Sequence, residues 1–478
     1  MRSGSFPCFQ KYKFLARKSK DFSARCIYDK TEIVNGYQWG VKSVLLCGVS
    51  ELDITPSLGS TMPGYFKDRK STGVIDRLYA KALVVDNDGS AVAFVVLDTI
   101  LVPRELVENV RQRVGRFTDI PPERVMISAT HTHTGPPVVT TTFYKEDESY
   151  LQWLAVKAAD AVIVAYRGRR EARIGFGAGH EEDIAFHRRF FMKDGTLRTN
   201  PGIGNPEIDR PAGPIDPQVG VIRIDDADGR PMGVVTNYAV HTDTVGGTEY
   251  CADFPGELSA ALKKALGEQT VSLFMMGASG NINHYNVLGG RIEDYAKPLS
   301  RHYMKMGRIL AGEVLKVREK IRTAGEAKVE ERNTAVTLRY RQPTQEQIEE
   351  ARHNLANLPE SNVEVNFARE LLEAARRGEG TTEAEIQTIA VGDFAVVGLP
   401  AEIFVEFGLE IKAGSPYGLT LINELCNGIV GTYVCTREAY RLGGYEPRIT
   451  AGNRLQEETG DMFVESAVKL LRELKSGG

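Results

Sequence analysis

Apolar runs and amphipathic stretches alternate along the chain from Ser43 onward. Short apolar runs bounded by turn residues are typical of strands, and apolar residues at three- and four-residue spacing predict helices. The sequence predicts strands over residues 43–49, 78–85, 91–97, 124–129, 219–224, 232–240, 271–276, 386–391 and 394–399. It predicts helices over residues 103–117, 149–167, 254–267, 345–358, 366–377 and 403–411. We therefore expect an α/β protein with a layered, mixed β-sheet core and flanking helices.

The first 42 residues differ from the rest of the chain. They carry Lys and Arg without a clear period, so we expect residues 1–42 to be either a partly disordered extension or translated sequence upstream of the true start. Residues 43–478 contain no internal repeat, no low-complexity tract and no linker rich in Pro, Gly and Ser. The sequence therefore predicts one large domain over residues 43–478.

Four of the predicted strands run directly into polar segments. The segment after residues 124–129 holds His131 and His133, and the run 232–240 is followed by His241. The run 271–276 leads to Asn283, and the run 394–399 leads to Glu402. Ligand sites in α/β sheets gather beyond the carboxyl ends of strands. We therefore expect these four endings to converge on one site.

Charge and apolar run length exclude two broad classes of protein. The chain carries 59 Lys and Arg against 63 Asp and Glu, a net charge of −4, whereas nucleic-acid binding needs a basic surface. Its apolar runs are far shorter than the roughly 20 residues of a membrane span. The six cysteines are scattered without a CxxC pair, and the N-terminus lacks an apolar signal region. We expect a cytoplasmic protein without stable membrane insertion and with a small-molecule substrate, and a homo-oligomer stays open.

The histidines are the first candidates for chemistry. His131 and His133 are two residues apart, so extended backbone points both imidazoles to the same side. His241 is a third histidine at a strand end, and neutral imidazole is the commonest metal ligand. Such histidines also occur as hydrogen-bonded loop residues, and both interpretations stay open. The chain has no His-Glu-x-x-His helix, so the metalloprotease geometry is excluded.

Glu402 and Tyr433 each have an ordinary and a functional interpretation. Glu402 precedes the predicted helix 403–411, where a carboxylate interacts favourably with the helix dipole. It is equally suited to binding a metal. Tyr433 follows a Gly-rich turn, where a tyrosine usually packs as an amphipathic side chain. As a metal ligand it needs its phenol deprotonated by the metal.

These segments together resemble the neutral ceramidase family in its N-terminal catalytic domain. The resemblance spans about residues 46–471, with order and spacing kept. It is carried by Ala129-Thr130-His131-Thr132-His133-Thr134-Gly135-Pro136, Asn237-Tyr238-Ala239-Val240-His241, Ala252-Asp253-Phe254-Pro255-Gly256, Leu399-Pro400-Ala401-Glu402-Ile403-Phe404, and Asn427 to Tyr433 with Tyr440 and Tyr445.

The resemblance implies a zinc amidohydrolase that cleaves the N-acyl bond of ceramide. The positions that match the family's Zn²⁺ ligands are His131, His241, Glu402 and Tyr433. The positions that match other pocket residues are His133, Arg188, Tyr440 and Tyr445. In this scheme zinc polarises a carbonyl and lowers the pKa of bound water towards ~7. His133 and Arg188 then stabilise the oxyanion or anchor the substrate.

The chain also departs from the family. Asn283 stands where ceramidases have a serine tied to catalysis, and an asparagine cannot be the nucleophile. A water-attack mechanism needs no serine, so we assign Asn283 to holding the substrate. The sequence given also shows neither the family's C-terminal immunoglobulin-like domain nor a signal peptide. We therefore expect an amide substrate more polar than ceramide.

Three function classes stay open at this stage. The first is a zinc-dependent, ceramidase-like hydrolase acting on an amide-type bond. The second is a zinc-dependent hydrolase or lyase acting on a carbohydrate or amino-sugar derivative. The third is a non-catalytic homologue that keeps the metal site. We expect the first, with residues 43–478 as its zinc hydrolase domain.

Overall fold

The computed structural model of this protein describes residues 44–291, 295 and 301–477. The extension predicted over residues 1–42 lies outside the described residues. Within the described part of the chain, no helix is both long enough and apolar enough to cross a membrane.

The described residues form short and long strands interleaved with helices. The strands are β1 Leu45–Asp53, β2 Gly73–Val74, β3 Tyr79–Asn87, β4 Ser90–Leu97, β5 Val125–Ala129, β6 Arg170–His180, β7 Phe186–His187, β8 Arg189–Met192, β9 Leu197–Thr199, β10 Ile208–Pro211, β11 Gln218–Asp226, β12 Pro231–Tyr238, β13 Glu249–Tyr250, β14 Val271–Met276, β15 Ile282–Asn283, β16 Val329–Arg339, β17 Thr381–Val391, β18 Phe394–Gly398, β19 Glu402–Ile403, β20 Leu419–Asn423 and β21 Tyr433–Val434. The helices are α1 Arg104–Phe117, α2 Glu148–Arg167, α3 Asp253–Leu266, α4 His302–Arg318, α5 Gln345–Asn357, α6 Val363–Arg377, α7 Val405–Gly414, α8 Arg437–Leu442 and α9 Thr459–Ser476.

Eight strands form the larger sheet, in the order β14-β12-β11-β6-β1-β3-β4-β5. Its centre is antiparallel, and each edge ends in a parallel pair, β12 with β14 and β4 with β5. The β3–β4 hairpin closes through Asp88 and Gly89, which both have positive φ, as a tight turn requires. Because β5 and β12 lie near opposite edges of this sheet, the segments that follow them approach the site from two sides.

The smaller sheet has four strands in the order β16-β17-β18-β20. Its β18 and β20 pair in parallel, so both end at the same edge. The short strands β19 and β21 follow β18 and β20 in the chain and also pair in parallel. Parallel pairing brings the residues after β18 and β20 together.

Three apolar clusters show that the molecule is built in layers. One cluster fills the space between the larger sheet and helices α1 to α4, and includes Val110, Leu154 and Leu310. A second fills the space between the two sheets, where Phe94 and Phe394 are both buried. A third lies between the smaller sheet and helices α7 and α9. This arrangement confirms the predicted α/β fold with a layered, mixed β-sheet core and flanking helices.

Two buried asparagines connect the sheets. In β12, Asn237 donates through Nδ2 to one carbonyl in β14 and to the carbonyl of Ile422 in β20, at 2.8 and 2.7 Å. Asn427, beyond β20, accepts from the backbone N–H of Ile127 in β5 at 3.0 Å and donates to Gln387 in β17 at 2.7 Å. Each side chain satisfies backbone or side-chain groups of both sheets, which fixes their relative position.

A helical hairpin, α5 and α6, interrupts the smaller sheet. The pair formed by β16 and β17 ends at Arg339 opposite Thr381, so the chain leaves and re-enters the sheet at one point. Helix α5 begins in a capping box, in which Thr344 and Gln347 each satisfy a backbone N–H of the other. Helix α6 buries Phe367, which faces the site described below.

Most predicted elements are present within a few residues of their predicted bounds. The exception that touches the candidate site is the predicted helix 403–411. Glu402 and Ile403 instead form strand β19, and helix α7 begins only at Val405. The pairing of β19 with β21 overrides the helical spacing of the apolar residues, because tertiary hydrogen bonding competes with local propensity.

The contact between β1 and α2 gives a stability prediction. A Cβ at Gly48 of β1 would lie 1.9 Å from the backbone oxygen of Ala165 in α2, whereas a Cβ at the exposed Gly312 of α4 meets nothing within 4 Å. We expect Gly48→Ala to lower the free energy of unfolding by about 1–3 kcal/mol through overpacking. The matched control Gly312→Ala is expected to raise it by up to about 1 kcal/mol. Denaturant unfolding of both variants checks this, and equal effects would contradict the packing argument.

Candidate metal centre

Three histidines meet where β5 and β12 end. Nε2 of His131 lies 3.1 Å from Nε2 of His241 and 3.3 Å from Nε2 of His133. One ring nitrogen from each of the three lies within 4.8 Å of those of the other two. Three ring nitrogens thus converge on one point, and neutral imidazole nitrogens are common metal ligands. This group of histidines could therefore hold a metal ion.

The backbone of His131 is held in an uncommon conformation. Its φ is 65°, in the left-handed region that a non-glycine residue seldom occupies. Its N–H donates to the carbonyl of Thr99 at 2.9 Å, and its Nδ1 donates to the carbonyl of Ile100 at 2.6 Å. With Nδ1 protonated, Nε2 keeps a lone pair that faces the other histidines. The same hydrogen bonds that hold the His131 backbone in this strained conformation also orient its imidazole ring.

The carboxylate of Glu402 completes this cluster. Its Oε2 lies 3.6 Å from Nε2 of His131 and 3.8 Å from Nε2 of His241. Among the described residues, this buried oxygen accepts no hydrogen bond. A buried carboxylate oxygen without a donor is costly unless a cation lies beside it.

Tyr433 lies beside Glu402 because β19 and β21 pair in parallel, with these two residues opposite each other. The guanidinium carbon of Arg188 lies 5.1 Å from the centre of the Tyr433 ring. Burial raises the pKa of the Tyr433 phenol well above its usual value, and Glu402 raises it further. Arg188 acts in the opposite direction and favours the phenolate.

Burial keeps two of the histidines neutral. It lowers the pKa of His133 and of His241 well below the usual value, and the neighbouring His131 adds to the effect on both. Neutral imidazole is the form that binds metals. His133 and His241 are therefore in the metal-binding protonation state at neutral pH.

Arg188 is fixed by a buried carboxylate. Its Nε donates to Glu446 at 2.8 Å, and its Nη2 donates to the carbonyl of Gly280 at 2.6 Å. The second oxygen of Glu446 accepts from Arg189 at 2.6 Å. One carboxylate thus holds two arginines, and Arg188 is oriented towards Tyr433.

The two other predicted tyrosines differ in position. The ring of Tyr445 lies 5.9 Å from that of Tyr433, at the candidate site. Tyr440 instead packs under the guanidinium of Arg341, 4.4 Å from the ring centre, beside a separate cavity of about 560 Å³. Within the described part of the chain, no contact joins Tyr440 to the histidines. Tyr440 lies on α8 and packs, as Tyr433 does, against the apolar cluster between the smaller sheet and helices α7 and α9.

Asn283 lies near the cluster but is engaged with its neighbours. Its Nδ2 donates to Asn200 at 3.2 Å, and its Oδ1 accepts from the backbone N–H of His284 at 2.7 Å. His284 in turn donates through Nε2 to the carbonyl of Asp243 at 3.0 Å. Asn283 therefore orders the wall of the site.

Sequence reasoning missed Asp243, Tyr65 and Arg69. Asp243 follows His241 by two residues, the same spacing that joins His131 to His133, and this was the available signal. The hydroxyl of Tyr65 donates to Oδ1 of Asp243 at 2.5 Å, and Nδ1 of His133 lies 3.7 Å from the same oxygen. Tyr65 and Arg69 lie in a loop without apolar periodicity, so no pattern pointed to them.

A row of aromatic rings extends from Tyr433 to the loop that carries Tyr65. Tyr433 contacts Tyr445, Tyr445 contacts Phe367 at 5.7 Å, and Phe367 contacts Phe66 at 5.2 Å between ring centres. Phe66 also contacts Phe143 at 5.5 Å. We call these five side chains the aromatic wall. It joins the helical hairpin to the candidate metal centre.

Comparison with known proteins confirms the predicted resemblance. Residues 45–253 match the family model for the N-terminal part of neutral/alkaline non-lysosomal ceramidases. The chain is 25% identical over 238 residues to neutral ceramidase A of Dictyostelium discoideum, which covers 46% of this chain and 32% of that protein. It is 38% identical over 99 residues to neutral ceramidase 3 of Arabidopsis thaliana, covering 19% and 13%. The matched segments thus span about a third or less of these relatives.

A solved structure extends the likeness of fold to most of the chain. The crystal structure of neutral ceramidase from Pseudomonas aeruginosa matches with a TM-score of 0.70 at 19% identity, covering 91% of this chain and 75% of that one. The family model includes His131, Arg188 and His241, whereas Glu402 and Tyr433 lie beyond its last matched residue. The position of these last two rests on the structure described above.

The surroundings of His284 give a pH prediction. Burial, together with His302, lowers the pKa of His284 from 6.5 to about 3, and its Nδ1 has no acceptor among the described residues. His284 therefore resists protonation in the folded state but not in the unfolded state. As the pH falls below 6.5, this one histidine lowers the free energy of unfolding by about 1.4 kcal/mol for each pH unit. In His284→Gln, whose amide still reaches the carbonyl of Asp243, we expect this part of the decline to vanish. Unfolding of metal-free protein at pH 7 and pH 5 checks this, and identical declines in both proteins would refute it.

Proposed function

We propose that this chain is a zinc-dependent hydrolase of the ceramidase type that cleaves an amide-type bond in a substrate more polar than ceramide. The observation that carries the proposal is the convergence of three imidazole nitrogens and the unpaired Oε2 of Glu402. The similarity to neutral ceramidases supports the reaction class.

The donor set fits zinc. Zinc sites are usually tetrahedral with metal–nitrogen distances near 2.0–2.1 Å, which places two bound nitrogens about 3.3 Å apart. The Nε2 atoms of His131 and His241 are 3.1 Å apart. We propose that His131, His241, Glu402 and Tyr433 hold the ion, with the phenol of Tyr433 ionised beside Arg188. When bound, zinc supplies Lewis acidity and lowers the pKa of water.

The chain's own residues then orient the substrate and move protons. His133 is neutral and lies 3.3 Å from His131, so its ring can accept a proton from an attacking water or return it to the leaving amine. The guanidinium of Arg188, fixed by Glu446, stabilises the negative charge that develops on the carbonyl oxygen of the substrate. Asn283 cannot act as a nucleophile, so the attacking group in this scheme is water.

The two ends of the aromatic wall support a substrate with one apolar and one polar part. The end formed by Tyr433 and Tyr445 offers a surface for an acyl group of modest size. The Phe66 end adjoins Tyr65, which contacts His133 and Asp243, and the polar atoms of these two residues lose hydrogen bonds if a hydrocarbon chain lies against them. Because unpaired buried polar groups are costly, this end disfavours the long apolar tail of a sphingoid base.

The ligand assignment predicts how metal content responds to substitution. Protein purified without chelator is expected to hold about one zinc per chain. We expect His131→Ala with His241→Ala to abolish binding, and Tyr433→Phe to weaken zinc affinity about tenfold or more, because a charged ligand is lost. His133→Ala is expected to keep its zinc but lose activity. Metal analysis and chelator competition check this, and zinc loss in His133→Ala with retention in Tyr433→Phe would contradict the assignment.

The substrate assignment predicts selectivity. With matched acyl groups, we expect an amide of a hydroxylated amine to be hydrolysed with a kcat/KM at least about tenfold above that of ceramide, since each paired polar group contributes discrimination. Chelator should abolish both reactions. Product release measured for both substrates checks this, and ceramide turnover that exceeds turnover of every polar amide would refute the assignment.

A further inference from the structure

The carboxylate of Asp243 is more exposed than the side chains of the candidate metal centre. Its side chain is 34% exposed, whereas those of His131 and Glu402 are 5% and 7% exposed. Oδ1 accepts from Tyr65, and within the described residues no hydrogen bond is donated to Oδ2. A partly exposed carboxylate oxygen whose partner oxygen is already fixed can accept a hydrogen bond from a ligand.

The loop that carries Tyr65 is held rigidly against the histidines. The buried Arg69 donates to the carbonyls of Pro63 and Gly247, at 2.6 and 2.7 Å, and to the carbonyl of His133 at 2.5 Å. Its guanidinium also lies 4.2 Å from the centre of the Tyr65 ring. One arginine therefore ties three segments together, and the hydroxyl of Tyr65 is preorganised towards Asp243.

A cavity of about 380 Å³ adjoins this pair. It is lined by Tyr65, Phe66, Lys67, Arg69 and the segment Gly246–Thr248. Phe66 belongs to the aromatic wall, so the cavity has an apolar ring on one side, and its Tyr65 connects it to the carboxylate of Asp243. This combination of a few placed polar groups with aromatic surface is typical of small-molecule sites.

Resting on the proposed function, we propose that Asp243 and Tyr65 form a subsite that binds the hydroxyl groups of a polyhydroxylated amine, such as the sugar part of an N-acyl amino sugar. Hydroxyls donate to Oδ2 of Asp243, and the C–H face of the same group packs on Phe66.

The test compares two amides that share one acyl group. One is an N-acyl amino sugar, and the other is the corresponding N-acyl butylamine. For wild type, Asp243→Asn and Tyr65→Phe, the ratio of the two kcat/KM values is measured, with the same chemical change at the exposed turn residue Asp228 as matched control. We expect Asp243→Asn to lower the preference for the sugar amide about tenfold or more, and Asp228→Asn to leave it unchanged.

A binding measurement separates this proposal from the proposed function. Calorimetry with metal-free protein, which cannot turn over, reports binding of the N-acyl amino sugar alone. Binding that is lost in Asp243→Asn without hydrolysis by the zinc form supports the subsite and refutes the hydrolase. Hydrolysis of both amides with a ratio unaltered in Asp243→Asn overturns the subsite and leaves the hydrolase standing.

Tyr65→Phe covers the case in which Asp243→Asn does not fold. It removes the donor that fixes Oδ1 but keeps the ring. We expect it to weaken binding of the sugar amide about threefold or more, because the carboxylate is no longer preorganised. Unchanged binding in Tyr65→Phe, with a thermal transition like that of wild type, would overturn the proposal.

Discussion

Hydrogen bonds from buried asparagines between the two sheets are the constraint on which the rest of the structure depends. The candidate metal centre takes His131 and His241 from the larger sheet and Glu402 from the segment after the smaller one. Asn237 and Asn427 bridge the sheets directly, and each satisfies groups that would otherwise be buried without partners. A relative slide of the sheets by one residue would break these bonds and separate the carboxylate from the imidazoles.

Around the centre, polar groups are either saturated or aimed at one point. The fully buried Glu424 accepts from the hydroxyl of Ser279 and from the backbone N–H of Ile403, next to Glu402. Glu446 is likewise occupied by two arginines. Oε2 of Glu402, by contrast, has no donor among the described residues. Saturated carboxylates position the backbone, whereas the unsaturated one has an oxygen that could bind a cation.

The sequence predicted strands and helices with clear apolar periodicity, and site residues that directly follow such an element. The β3–β4 hairpin and most helices have clear periodicity, and His131, His241 and Glu402 directly follow apolar runs. Strands β6 and β16 and helices α4 and α9 were not predicted. Strand β6 contains alternating glycines that pack under α4, and β16 is charged along an exposed edge, so neither shows the apolar pattern of a strand. Helices α4 and α9 do bury apolar residues at helical spacing, so their pattern was available in the sequence.

The lack of a local sequence pattern also explains which site residues could not be predicted. Tyr440 and Tyr445 are five positions apart and look equivalent in the sequence, but a helix end and two glycines lie between them and turn the chain. Only Tyr445 reaches Tyr433. Arg188 and Glu446 meet across 258 positions, a pairing that no local spacing encodes. The strained φ of His131 is equally invisible, because it results from hydrogen bonds to a distant strand end.

The α5–α6 hairpin is inserted between the paired ends of β16 and β17. The aromatic wall can therefore change independently of the two sheets. The sheets and their asparagine bridges must be kept for the centre to exist. The hairpin supplies Phe367 to the aromatic wall, yet its two ends meet at the last pair of the ladder, Arg339 and Thr381. Its length and sequence can drift without shifting the register of any strand. Changes in the hairpin can thus alter the aromatic wall while the strands that carry the candidate metal centre keep their positions.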